Sequence, residues 1–310
     1  MRIGKLRARL KGCARLLVDS FRQWLAHRGP KMGAALSFYA VLSLAPLAGL
    51  LLSVIGVAVK REAAREEITG QFRSFVGTEG SPLIETILSK APADYAGLGH
   101  SVLSFVVLLI GASGVFGELQ DSLNQIWGVA SKRHPLWVLI QERLFSFIMI
   151  FALGVLMLAS FLFSALIATL GRDLLAWFPR MNELWALGNS LISLVVLACL
   201  LALIFRVIPD SKSQWRDVWP GALLTALLFG LGKMVLGYYF WRTAIASNYG
   251  AAGPLILTLL WVFYSSQIFF YGAQFTKLYA ERYGSLRATL LASAQKNGGV
   301  SKTPPFENRQ

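Results

Sequence analysis

The sequence Gly111-Ala-Ser-Gly-Val-Phe-Gly-Glu-Leu-Gln-Asp-Ser-Leu-Asn-Gln-Ile-Trp127 joins an apolar run to a polar segment with no turn signal between them. Glu118, Asp121 and Gln125 follow one another at steps of three and four residues, so on a helix they share one face, with Asn124 beside them. The pattern predicts a membrane helix that becomes polar while it is still helical. We interpret this face as the polar seam of a helical membrane bundle.

Three glycines precede that seam at every third position. Gly111, Gly114 and Gly117 have no side chain, and small residues at membrane helix interfaces let two backbones approach closely. The sequence therefore predicts that another helix packs against this part of the chain.

The composition places the protein in the membrane class. Hydrophobic residues make up 55% of the chain and charged residues 15%, and the mean hydropathy is +0.55. His27, His100 and His134 lie far apart, and none has a cysteine or second histidine at ligand spacing, so we expect no metal and no cofactor. Hydrolase and nucleotide-binding motifs are also missing, which favours a function other than catalysis.

Apolar runs predict an all-α polytopic fold with six transmembrane helices. About twenty helical residues cross the roughly 30 Å hydrocarbon core of a bilayer. In the first run Ser37 and Tyr39 interrupt the apolar surface, and Pro46 removes a backbone donor, so a kink is expected there. The predicted spans are 33–59, 98–117, 144–170, 184–205, 218–240 and 254–275.

The segments outside these spans divide the chain further. Residues 1–32 predict a basic, interfacial amphipathic helix that precedes the membrane domain 33–283. Residues 60–97 predict an external segment with two short amphipathic helices, and 284–310 predict a disordered cytoplasmic tail. The basic arm has two interpretations: it attracts the anionic head groups of membrane lipids, or its charge only sets topology.

Lysine and arginine are distributed unequally across the predicted spans. Twenty-one fall on the side that holds both termini and eight on the other side, which predicts that both termini are cytoplasmic. Nucleic acid is not an expected partner, because aromatic residues apart from Trp24 do not interleave with the basic ones. The sequence leaves open whether the protein forms a homo-oligomer.

The last predicted span carries a second polar stripe. Tyr264, Gln267, Tyr271 and Gln274 follow one another at steps of three, four and three residues and share one helix face. Such a stripe either lines a path for a solute or supplies hydrogen bonds between helices.

Lys233 is the basic residue that lies well inside a predicted span. Its depth does not match that of Glu118, so a direct pair between the two is not expected. The ammonium group either snorkels outwards, pairs with the acidic external segment, or forms part of a functional site.

Three motifs together resemble the YihY/virulence factor BrkB family of bacterial inner-membrane proteins. They are Gly33-Ala-Ala-Leu-Ser-Phe-Tyr-Ala-Val-Leu-Ser-Leu-Ala-Pro46, the segment Gly114 to Trp127, and Tyr249-Gly-Ala-Ala-Gly-Pro254 followed by the segments 261–268 and 272–276. Gln274 stands where the family pattern Gly-Ala-Glu-Phe has an acidic residue. The resemblance implies a six-span inner-membrane protein of a group described as candidate transporters or virulence factors.

The leading hypothesis is a non-enzymatic membrane bundle that moves or handles a lipid-like or anionic envelope substrate along the polar faces of three spans. A structural or scaffold protein of the envelope, with no transported substrate, is the alternative. A ribonuclease is a remote third hypothesis, because some members of the family carry an old ribonuclease BN label and these residues offer no acid-base or metal cluster.

Overall fold

The structure is a computed structural model that describes residues 2–58, 61–76, 81–90, 98–129, 182–211, 213–243 and 249–287. Within these ranges the regular structure is helical and no strand occurs. The helices are α1 (Arg2–Ala26), α2 (Gly29–Ala58), α3 (Arg61–Val76), α4 (Ser81–Lys90), α5 (Leu98–Trp127), α6 (Asn182–Val207), α7 (Trp215–Thr243) and α8 (Gly253–Arg282). A 3-10 turn, Gly250–Ala252, leads directly into α8.

The all-α class is confirmed for the described residues. Three stretches within them are long and apolar enough to cross a membrane: Gly29–Ala48, Trp215–Tyr239 and Gly253–Arg282. The apolar part of α6, Ser193–Val207, is shorter. The predicted span 144–170 and the predicted tail beyond residue 287 lie outside the described residues, so the number of six spans stays a prediction.

A sharp turn joins α1 to α2. Only His27 and Arg28 separate the two helices, and Arg28 has a φ of 58°, a left-handed conformation that is unusual for a residue other than glycine. Gly29 follows, and a β-carbon there would lie 2.1 Å from Nε1 of Trp24. The turn therefore holds α1 against the start of α2.

Helices α2 and α5 pack closely through the predicted glycines. A β-carbon at Gly114 would lie 2.6 Å from the ring of Tyr39, and one at Gly111 would lie 3.2 Å from Cβ of Ser43. Gly117 has no such neighbour among the described residues. The prediction of a close helix approach is confirmed at the first two glycines, and at the third it stays a prediction.

Helices α7 and α8 interlock through two copies of one pattern, Gly221-Ala-Leu-Leu-Thr225 and Gly272-Ala-Gln-Phe-Thr276. A β-carbon at Gly221 would lie 1.8 Å from Oγ1 of Thr276, and one at Gly272 would lie 1.8 Å from Oγ1 of Thr225. Each threonine donates its hydroxyl to the glycine carbonyl one turn earlier on its own helix, at 2.6 and 2.7 Å. Each helix thus inserts a threonine into the gap left by a glycine of its neighbour.

The largest apolar cluster surrounds α8. Phe270 and Ala273 of α8 are fully buried against Phe205 of α6, Ala222 of α7 and Leu123 of α5. Apolar side chains from these four helices and from α2 therefore converge on the second half of α8. A smaller cluster joins Ile68 of α3 and Ile84 and Leu88 of α4 to Ala48 of α2.

Asp217 fastens the start of α7 to the residues that follow α8. Its carboxylate accepts hydrogen bonds from the backbone N–H of Gln214 at 3.2 Å, the N–H of Ser285 at 3.1 Å and the hydroxyl of Ser285 at 2.5 Å. The first of these satisfies a backbone donor at the helix N-terminus, where a negative charge is also favourable. Asp217 is 3% exposed, so these bonds are shielded from water.

Replacing Asp217 by alanine is expected to destabilise the protein by about 3 kcal/mol, because two backbone donors and a hydroxyl lose a charged acceptor in a buried place. Thermal unfolding of the detergent-solubilised protein measures the effect. Asp217→Asn keeps one acceptor oxygen and should lose less. Equal stability of wild type and Asp217→Ala would contradict the role given to this carboxylate.

Candidate functional site

The predicted stripe on α8 meets three different environments along the helix. Tyr264 contacts α7, Gln267 contacts α2, and Tyr271 and Gln274 contact α1. One helix face therefore supplies polar groups to three separate interfaces.

The first environment is a shallow, open cleft between α7 and α8, whose enclosed space is about that of one water molecule. Lys233 supplies an ammonium group, and Trp261 and Tyr264 supply aromatic rings. Gly232 deepens the cleft, since a β-carbon there would lie 2.8 Å from the Tyr264 ring. The remaining lining residues are Phe229, Leu236, Ser265 and Ile268.

The cleft lies well inside the spanning segments. Lys233 precedes the end of α7 by ten residues and Tyr264 follows the start of α8 by eleven, which places both about 15 Å along their helices from the same end of the bundle. An ammonium group at such a depth is costly unless it faces other polar groups or water. The cleft thus combines one positive charge with aromatic and apolar walls.

The second environment is a close contact between Gln267 of α8 and Gly33 of α2. A β-carbon at Gly33 would lie 2.0 Å from Nε2 of Gln267, so glycine alone leaves room for the amide. Neither amide atom of Gln267 has a hydrogen-bond partner among the described residues, and both are buried. Ser37, the nearby hydroxyl on α2, is already engaged with the Gly33 carbonyl at 2.5 Å. A buried amide without partners is costly and calls for an explanation, such as a bound water molecule or ion.

The third environment is a hydrogen-bonded latch between α8 and α1. Gln274, which is fully buried, receives a hydrogen bond from Nδ1 of His27 at 2.9 Å and donates to Oε1 of Gln23 at 2.7 Å. Tyr271 donates its hydroxyl to the carbonyl of Leu17 at 3.2 Å. The two stripe residues at this end therefore bond to another helix.

An ion pair and an apolar contact extend the latch. Arg282 at the end of α8 pairs with Asp19 of α1 at 2.5 Å. Leu16 of α1 is buried with Phe275 and Leu278 of α8. Helix α1 is thus bound along the last three turns of α8 by polar and apolar contacts together.

The polar seam on α5 occupies a different place. Ser122 donates to Glu118 at 3.2 Å, and Asn124 exchanges two hydrogen bonds with Asp210, at 3.0 Å to the carboxylate and 2.9 Å from the backbone N–H. Asp121 and Gln125 on the same helix are exposed. Asn124 therefore ties α5 to the segment between α6 and α7, and the acidic seam does not line the α7/α8 cleft.

The structure brings some of the predicted residues together and separates others. Lys233 and Tyr264 share the cleft, whereas Tyr39 packs on Gly114 and Pro46 lies inside a continuous α2. No residue of α5 is among those lining the cleft. The cleft therefore does not bring all of the candidate residues together. They lie at several separate interfaces.

Sequence reasoning missed the residues that complete these interfaces. His27 was considered only as a metal ligand, and Gln23, Asp19 and Asp217 were not singled out. Trp261, three residues before Tyr264, was not singled out either, and it lines the cleft with Tyr264. His27, Gln23 and Asp19 are more than two hundred residues from their partners on α8. Asp217 is 68 residues from Ser285, so no local spacing signals any of these contacts.

Metal binding has no support in the described ranges, where no group of three or more His, Cys, Asp or Glu residues lies together. The side chains at the three environments offer charge, hydrogen-bonding groups and aromatic surface. The comparison with known proteins agrees with a membrane role. A family model described as Virulence factor BrkB matches residues 20–297. The chain belongs to this family.

Two relatives of this BrkB family member are named as membrane proteins. A UPF0761 membrane protein of Azotobacter vinelandii is 28% identical over 271 residues, which cover 82% of this chain and 60% of the relative. Another from Verminephrobacter eiseniae is 27% identical over 271 residues, covering 86% of this chain and 61% of the relative. The chain thus spans about three fifths of the length of these relatives. No solved structure matches it.

A third relative of the BrkB family member has a different name. The ribonuclease-like protein YfkH of Bacillus subtilis is 22% identical over 269 residues, which cover 86% of this chain and 95% of the relative. The ribonuclease-like name describes the Bacillus subtilis protein and is not carried over to this chain.

Proposed function

We propose that this BrkB family protein binds and moves an anionic, lipid-like molecule, with the α7/α8 cleft as the place where its head group binds. The observation that carries the proposal is the position of Lys233 beside Trp261 and Tyr264 inside the spanning segments. An ammonium group attracts a phosphate or carboxylate, and the aromatic rings offer both apolar surface and, in tyrosine, a hydroxyl donor.

The surface around the cleft suits an amphipathic ligand. Leu231, Met234 and Val235 on α7 are 60%, 75% and 59% exposed, and Leu259 and Leu260 on α8 also reach the surface. In a bilayer such side chains face acyl chains. A head group in the cleft could therefore keep its acyl chains in the lipid while its charge meets Lys233.

Gln267 gives the ligand a second polar contact farther along the same helix face. It lies three residues beyond Tyr264, which is about 4.5 Å along the helix axis. Its amide is buried and has no partner among the described residues. A ligand oxygen or a water molecule that travels with the head group would satisfy this amide, which explains why a costly group is placed there.

Lys233→Gln tests the proposal directly. In proteoliposomes we expect the wild type to exchange a fluorescent phosphatidylglycerol analogue between leaflets, and Lys233→Gln to lose most of that activity because the neutral amide binds an anionic head group weakly. A dithionite quenching assay measures the exchange. Lys31→Gln, which removes the same charge from an exposed site on α2, is the matched control.

The lipid-exchange assay also distinguishes this proposal from the scaffold and ribonuclease hypotheses. If neither wild type nor variant moves or binds any lipid while thermal unfolding stays cooperative, the scaffold hypothesis takes the place of this one. Metal-dependent cleavage of RNA by highly purified protein would favour the ribonuclease hypothesis. Transport by Lys233→Gln at the wild-type rate would contradict the cleft as the binding site.

A further inference from the structure

We infer that α1 has a lipid-binding face that inserts into an anionic membrane surface beside the start of α2. Val18, Phe21 and Leu25 form this face, and they are 51%, 50% and 49% exposed. They recur at steps of three and four residues, so they lie together on one side of the helix. This surface is separate from the α7/α8 cleft, and the inference does not depend on the proposed function.

The orientation of α1 is set by contacts on its other side. Leu16 and Ser20 are 2% and 0% exposed, and Gln23 bonds to Gln274 of α8. Asp19 pairs with Arg282. With this side bound to α8, the helix cannot rotate to bury Val18, Phe21 and Leu25 against the bundle.

The position of α1 along the bundle is that of a membrane surface. Two residues connect it to α2, whose span candidate begins at Gly29. Its contacts on α8 run from Tyr271 to Arg282, the final part of that helix. A helix that is tied to the end of one span and the start of another lies where head groups meet acyl chains.

The charge of α1 indicates which surface the face meets. Arg15, Arg22 and Arg28 are exposed around it. The one acidic residue of α1, Asp19, is already paired with Arg282. An apolar face bordered by exposed arginines matches anionic lipid, which offers acyl chains and negative head groups at adjacent depths. A second copy of the chain would bring the same arginines together and repel.

Spin labels measure where the face lies in the full-length protein. Cys13→Ala and Cys199→Ala remove the native thiols, and Val18→Cys or Leu25→Cys then carries the label. Glu62→Cys, exposed on α3, is the control for water, and Met234→Cys, 75% exposed on α7, is the control for lipid. The protein is reconstituted in vesicles of phosphatidylcholine with and without phosphatidylglycerol, and collisions with oxygen and with a water-soluble nickel chelate are compared.

We expect the labels at 18 and 25 to collide more with oxygen than with nickel and to lie about 5–10 Å below the head-group boundary. The labels should lie deeper in vesicles with phosphatidylglycerol than in vesicles without it, and in Arg15→Gln/Arg22→Gln protein this difference should disappear. Nickel collisions as frequent as at position 62 would overturn the inference. Low collision rates with both reagents, together with label-to-label coupling between copies, would also overturn it and assign the face to a homo-oligomer.

Discussion

Gly221→Leu and Gly272→Leu are each expected to abolish the folded bundle or destabilise it by about 3 kcal/mol, since added volume in a close contact forces the helices apart. Each new β-carbon would lie 1.8 Å from a threonine Oγ1, and at Gly221 the backbone Cα of Thr276 is also only 3.1 Å away. Retreat of the side chain alone cannot relieve the second contact. Thermal unfolding in detergent and resistance to trypsin measure the loss.

Two other glycines of α7 provide matched controls. In the part of the chain that the structure describes, nothing lies within 4 Å of a β-carbon added at Gly230 or Gly237, and both glycines are exposed. Leucine at either position would face lipid, so wild-type stability is expected. If all four leucine variants unfold alike, helix propensity or membrane insertion is responsible, and the interlock is not.

A compensating pair tests the reciprocal geometry. Gly272→Ala places its methyl group against Thr225, whose Oγ1, Cβ and Cγ2 lie 1.8, 2.9 and 3.0 Å away. Adding Thr225→Gly removes that side chain and should recover part of the lost stability. Coupling between contacting residues is expected at about 0.5–3 kcal/mol. Strict additivity of the two changes would contradict a direct contact.

The second large effect is a difference in stability between two glutamine-to-leucine substitutions on α8. Gln274→Leu should cost about 2 kcal/mol, because Gln23 and His27 lose their partner at a buried site. Gln267→Leu removes an amide that has no partner among the described residues, so its stability should equal or exceed that of the wild type. Thermal unfolding of the two variants, measured side by side, gives the comparison.

The lipid-exchange assay gives the same pair a second readout. Gln267→Leu is expected to be stable and to lose exchange activity, since its amide is proposed to contact the moving head group. Gln274→Leu should chiefly loosen α1, which limited proteolysis of the arm would detect. Full exchange activity in Gln267→Leu would restrict the proposed path to the Lys233 cleft, and a strongly destabilised Gln267→Leu would show that its amide is paired.

Local sequence pattern predicts the helices well. The runs 33–59 and 218–240 correspond to Gly29–Ala58 and Trp215–Thr243, and the pair of short helices within 60–97 occurs as Arg61–Val76 and Ser81–Lys90. Hydrophobic runs and turn residues depend on neighbours in the chain, so they can be recognised without knowledge of the fold. The glycines of α5 predicted a helix contact for the same reason.

Contacts between distant segments were harder to predict. The repeated Gly-Ala-x-x-Thr pattern at 221–225 and 272–276 is visible in the sequence, but nothing local indicates that each glycine receives the other threonine. The stripe on α8 was recognised as polar, and its division among α7, α2 and α1 was not, because partners in three helices decide what each residue does. In the same way, the sequence shows that Glu118 and Asp121 share a polar helix face, but it does not show which helix lies opposite that face.

A photoactivatable phosphatidylglycerol analogue tests the central proposal most directly. The probe is cross-linked to the full-length protein in proteoliposomes, and the modified peptides are mapped by mass spectrometry. The account predicts adducts on the cleft segments 229–236 and 261–268, reduced in Lys233→Gln and unchanged in Lys31→Gln. Adducts that avoid both segments, or that are equally abundant in Lys233→Gln, would contradict it.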